Sequence, residues 1–175
     1  MCIRDSYSTG GIGTLPHLTG ELFKRLSGTN IVHVPYKGGG LALQAVVAGE
    51  TQLTFDTIGT SLALIHDGKL RAIAIGAKTR VAALPDVPTM VEAGFPQLTT
   101  GAWTAILAPR GTPPDIVAKV NAATNKALQT EPMKGTLAKL GAAPRGGTPK
   151  ELADYIQSET VKWKPVIEAL NLKAQ

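Results

Sequence analysis

The segment Thr9 to Leu26, T-G-G-I-G-T-L-P-H-L-T-G-E-L-F-K-R-L, offers anion binding at a helix start. Gly10, Gly11 and Gly13 have no Cβ, so the backbone there can take left-handed angles and approach a ligand closely. Thr14 stands where an N-cap belongs, and Pro16 falls in the first helical turn, where a missing N–H costs little. A helix that begins this way presents free N–H groups and the positive end of its dipole, a seat for a carboxylate or a phosphate. The same letters also spell a tight strand-to-helix turn with no ligand, and glycines alone do not choose between the two.

Other candidate groups are sparse. Asp56 ends the apolar strand Q-L-T-F and precedes Thr57. A carboxylate there can accept from a ligand hydroxyl, amine or protonated acid, or it can cap the next helix. His17, His33 and His66 have no Cys or carboxylate at metal-ligand spacing, so no metal is expected. His17 falls in the first helical turn beside the anion seat, where capping or packing is its default role. No G-x-S-x-G elbow is present, and the single cysteine is Cys2, so nucleophilic catalysis lacks its usual signatures. G-G-I-G-T is neither a P-loop nor a full dinucleotide fingerprint, and no nucleotide cofactor is expected. Trp103 and Trp163 read as packing residues, and Arg80 and Arg110 as loop cations in ion pairs or solvent.

The elements that must position these groups alternate. The 175 residues are 43% hydrophobic and 18% charged, the balance of a globular protein. The net charge of +5 is scattered, with no basic face for nucleic acid. No run is apolar enough to span a bilayer. Hydrophobic periodicity predicts helices at 14–26, 41–48 and 59–66, a short one near 89–93, and others at 115–129, 132–140 and 149–170. Gly28, Gly49 and Gly68 read as helix stops, and Thr148 with Glu151 as a capping box. Strands are expected before Thr9 and at 30–34, 52–55, 70–75 and 102–108. Alternation of this kind calls for a parallel sheet covered by helices, with ligands beyond the carboxyl ends of the strands. Gly10–Thr14, Tyr36–Gly40 and Asp56–Thr57 should converge at that edge.

Several segments together resemble one family. They are G-x-G-T-x-x-H-L-x-G-E-L-F at 11–23, H-V-P-Y-K-G-G at 33–39, F-D at 55–56 and G-K-L-R-A-I-A at 68–74. R-x-x-x-L-P-D-V-P-T-x-x-E-A-G at 80–94, A-P-R-G-T-P at 108–113 and W-K-x-V-I at 163–167 complete the set. They resemble the solute-binding receptors of tripartite tricarboxylate transporters, the Bug-type periplasmic proteins. The resemblance implies an α/β, type II-like periplasmic binding protein of two lobes, one of them incomplete in this chain. Residues 1–6 would be an incidental start, 7–99 the second lobe and 100–175 a return to the first. It implies a monomer that captures a small organic carboxylate in the periplasm, without a cofactor, for a membrane permease. By matching position, the ligand carboxylate would meet backbone amides and hydroxyls at Thr9, Gly11, Gly13 and Thr14. Asp56 matches an acidic cleft position. Thr57 stands where the family commonly has Asn, and Tyr36 and Gly38 would line the cleft. Two other readings stay open: an enzyme holding a phosphorylated substrate at the same helix start, and the effector-binding domain of a transcription regulator.

Overall fold

The computed structural model describes residues 5–172. Its centre is a three-stranded parallel sheet in the order β2-β1-β3, built from β1 (Ser6–Thr9), β2 (Val32–Pro35) and β3 (Leu53–Thr54). Ser6 pairs with Val32 and Thr9 with Pro35 on one side of β1, and Tyr7 with Leu53 on the other. Asp5 joins the ladder too, its carbonyl accepting from the Val32 amide, so the sheet already includes the last two residues of the expected incidental start. β1 has strands on both sides and is covered, with Tyr7, Ser8 and Thr9 all 0% exposed.

Each strand feeds a helix. α1 (Leu15–Ser27) opens at Thr14, whose side chain accepts from the His17 amide, and closes at Gly28 in the left-handed conformation with φ of 68°. These are the predicted start and stop. α2 (Gly39–Val47) turns Ala42, Leu43 and Ala45 into the core, and the Ser8 hydroxyl donates to the Ala42 carbonyl at 2.9 Å. α3 (Ile58–His66) follows β3. An aromatic chain joins α1 to the sheet and to the later loop: Tyr7–Phe55 at 5.4 Å, Phe55–Phe23 at 5.8 Å and Phe23–Phe95 at 5.6 Å between ring centroids.

Beyond α3 the structure departs from the predicted alternation. The segment 70–75 is not a strand: its one bridge joins Ile75 to Thr89, and Ile73 is 69% exposed. L-R-A-I-A-I has the composition of a strand, but a strand exists only by pairing, and beyond the Ile75–Thr89 bridge no neighbour pairs with it among the described residues. The short helix near 89–93 is a pair of turns instead. Thr89 and Glu92 cap each other, side chain to backbone in both directions, and Arg80 pairs with Glu92 and donates to the Pro85 carbonyl. These bonds hold the proline-rich loop without helical propagation. A 3-10 turn at Pro96–Leu98 buries Leu98.

The chain divides into two compact units, one of 1–102 with 166–175 and one of 103–165. The second contains α4 (Pro114–Leu128), α5 (Glu131–Lys139) and most of α6 (Pro149–Ala169). The strand predicted at 102–108 is absent among the described residues, for the same want of a partner. Its Ile106 and Leu107 are 66% and 70% exposed. Trp103 is also exposed, edge-on to Tyr155, over whose ring Arg145 lies. Asn125 holds Gly147 by both its amide and its carbonyl, at 2.9 Å each. The capping box forms as expected: Thr148 donates to Glu151, and the Glu151 amide donates to the Thr148 hydroxyl. Trp163 is buried, its indole N–H on Glu159.

Candidate functional site

The three turns leave the sheet at its carboxyl edge and meet there. The Tyr36 amide donates to the Thr9 carbonyl at 2.9 Å and the Gly38 amide to the Gly10 carbonyl at 3.1 Å. A Cβ on Gly10 would stand 2.8 Å from the Gly39 nitrogen, closer than real Cβ contacts come, so this contact between the loops requires glycine. A Cβ on Gly39 would lie 3.5 Å from Asp56 Oδ1, which places the third turn against the start of α2. The N-termini of α1 and α2 and the Asp56 carboxylate thus share one patch of the first unit.

Within that patch the glycine loop is braced from inside. The Thr14 hydroxyl donates to the Gly11 carbonyl at 2.7 Å while it caps α1. The Gly11 amide points back at the Thr9 hydroxyl. The Gly13 amide donates to His17 Nδ1 at 3.1 Å, and Gly13 itself has φ of 78°, a left-handed angle that favours glycine. The amides of Ile12, Thr14 and Leu15 have no acceptor among the described residues. They are the loop's unengaged donors, and two of them belong to residues not singled out in the sequence. Reading side-chain types could not have found them, because every residue but proline carries the group that matters.

Asp56 divides its carboxylate. Oδ2 accepts from Thr60 at the start of α3, and the Thr60 hydroxyl also reaches the Thr57 carbonyl and hydroxyl. Oδ1 faces Gly39. Burial pushes the Asp56 carboxyl up from its ordinary value, against hydrogen bonds from Thr60 and Thr57 that hold it down. Thr57 is the N-cap residue of α3 without a side-chain cap bond. The Tyr36 phenol points elsewhere, to Glu50 at 3.0 Å, along a groove of about 370 Å³ it shares with Leu41, Gln44 and Ala48. Only its backbone touches the loop system, the Tyr36 carbonyl lying beside Gly11.

A second cluster lies beneath the loop. His17 and His33 stack at 4.2 Å between centroids, and Tyr7 stacks on His33 at 4.9 Å. His33 Nε2 is 2.7 Å from the Thr9 hydroxyl. The Tyr7 phenol donates to Glu21, which also holds Lys24. Desolvation lowers both histidines, His33 to about 4, with the neighbouring imidazole and Lys24 adding to the effect on His33 and Glu21 opposing it. Tyr7 is pushed well above the ordinary phenol value by burial and by Glu21.

Residues 3–172 match the family described as tripartite tricarboxylate transporter family receptor, and the chain belongs to that family. BugT of Bordetella pertussis is 33% identical over 96% of this chain and 52% of its own length. Among solved structures, MatC from Rhodopseudomonas palustris with bound malate is 38% identical, with a TM-score of 0.76 over 93% of this chain and 56% of its own. Rpa4515 of R. palustris with adipate is 33% identical, with a TM-score of 0.81 over 94% and 56%. The fold is the α/β fold of the periplasmic binding proteins. The chain spans about half the length of the curated relatives it matches.

Proposed function

We propose that this chain is the carboxylate-gripping part of a periplasmic solute receptor serving a tripartite tricarboxylate-type transporter. The observation that carries the reading is the set of amides at Ile12, Thr14 and Leu15 without an acceptor among the described residues, seated at the start of α1. The α2 N-terminus and Asp56 stand beside it. Solved relatives hold malate and adipate, and a carboxylate on such amides makes charge-assisted bonds worth about 1.5–3 kcal/mol each. In this reading Thr9, Gly11 and Gly13 shape the loop from within, Thr14 fixes its exit, and Gly38 joins it to the second helix start. Asp56, with Thr57 behind it, receives a hydroxyl or a protonated end of the ligand. The chain binds and delivers; it does not turn the ligand over.

The exposed apolar residues of the second unit support a companion proposal. Ile106, Leu107, Val120, Leu140 and Val161 are apolar and more than 45% exposed, a burden for a protein in water. We propose that the additional length carried by the relatives covers these residues and completes the first lobe, and that 103–165 belongs to that lobe.

Calorimetric titration tests the ligand class. Malate and adipate should release heat on binding, and a phosphate monoester should not. Binding of the phosphate monoester alone would move the assignment to an enzyme-like site.

A further inference from the structure

The stacked histidines lie under the glycine loop, and one of them holds it. The Gly13 amide has His17 Nδ1 as its acceptor, so that nitrogen must be bare and any ring proton must sit on Nε2. Gly13 is in the left-handed region, and this bond ties its turn to the first turn of α1. His33 stacks on the same ring and pairs with Thr9, the last residue of β1. The loop is therefore held at both ends by imidazoles, His33 at its root and His17 at its crest.

We propose that the His17–His33 stack is a proton-sensitive latch that positions the glycine loop for its anion. His17 is a positioning residue in this scheme; it meets the ligand only through the Gly13 turn, and this role rests on the carboxylate reading above. A proton on Nδ1 would set N–H against N–H at Gly13, and the tie would open. A second proton, on His33, would place two cations in one stack. The titratable groups facing the pair are Tyr7 from β1 and Glu21 and Lys24 from α1. Glu21 is engaged by both Tyr7 and Lys24, so its attraction for a histidine proton is partly spent. Desolvation favours the neutral rings, which keeps the latch closed at neutral pH and opens it on acidification.

The test compares the native chain with His17→Asn, whose side-chain carbonyl offers an acceptor near the Nδ1 position and does not titrate. In ¹⁵N-labelled native chain, the Gly13 amide resonance should move with the same midpoint as the His17 ring. In His17→Asn it should be flat with pH. Malate and adipate binding should weaken about tenfold as pH falls from neutral through the His17 midpoint, beyond the change seen in His17→Asn. The ligand's own titration is common to both proteins and cancels. A Gly13 amide that ignores the His17 titration, or titrates alike in both proteins, overturns the latch. If neither acid binds either protein, the carboxylate reading fails, and the amide titration still decides the latch.

Discussion

The two units of the chain solve the problem of burying apolar surface to different extents. In the first, a parallel sheet gives α1 and α2 something to cover, and Tyr7, Leu98, Ala42 and Leu43 are 3% exposed or less. In the second, α4 and α5 contain no buried residue, though α4 carries its apolar residues at helical spacing. Amphipathic helices form in both places. They become a core only where strands are paired beneath them, so local pattern specifies an element and non-local pairing specifies its burial.

The sharpest way to break this contrast is a matched truncation. Leu43→Ala should cost about 3 kcal/mol by urea denaturation, because a buried leucine leaves a cavity. Leu107→Ala should stay within about 0.5 kcal/mol, because its side chain is already in water. Equal costs would mean that the second unit has a core of its own. A glycine pair sharpens the point with opposite signs. Gly20 lies on α1 directly against the Tyr7 ring, so Gly20→Ala should destabilise by roughly 1–3 kcal/mol through overpacking. Gly135, inside α5 with nothing near its missing Cβ, should gain about 1 kcal/mol on Gly135→Ala, since alanine is the better helix former.

Acidification probes the histidine stack of the first unit. The unfolded chain takes up histidine protons near the ordinary value of 6.5, and folded His33 only at about 4. Between those values the unfolded state binds more protons, so stability is fully present above that window and falls as pH drops through it. A denaturation midpoint that holds steady from neutral pH down to that lower value would contradict the buried, neutral stack. The smallest effect expected is at the cap: Thr14→Val should cost about 1 kcal/mol of stability through the lost N-cap. It should also weaken malate binding, as the Gly11 carbonyl loses its tie.

Much of the first unit was legible in the residues. Thr14, Pro16 and Gly28 mark α1 because capping is local chemistry, and Thr148 with Glu151 marks α6 for the same reason. The convergence of the three turns followed from strand–helix alternation. The segments 70–75 and 102–108 misled, because a β-rich composition says nothing of whether a partner strand lies alongside. The stacking of His17 on His33 was invisible for a related reason: it depends on the β1–β2 register, which sets His33 opposite Tyr7. The unengaged amides left no trace in side-chain identity at all.

The most direct test of the central claim is an amide titration of the ¹⁵N-labelled chain with malate. Binding at the α1 start predicts that the Ile12, Thr14 and Leu15 amide resonances move most and saturate together. Resonances that stay fixed there while others shift and saturate, or a spectrum that malate leaves unchanged throughout, would contradict it.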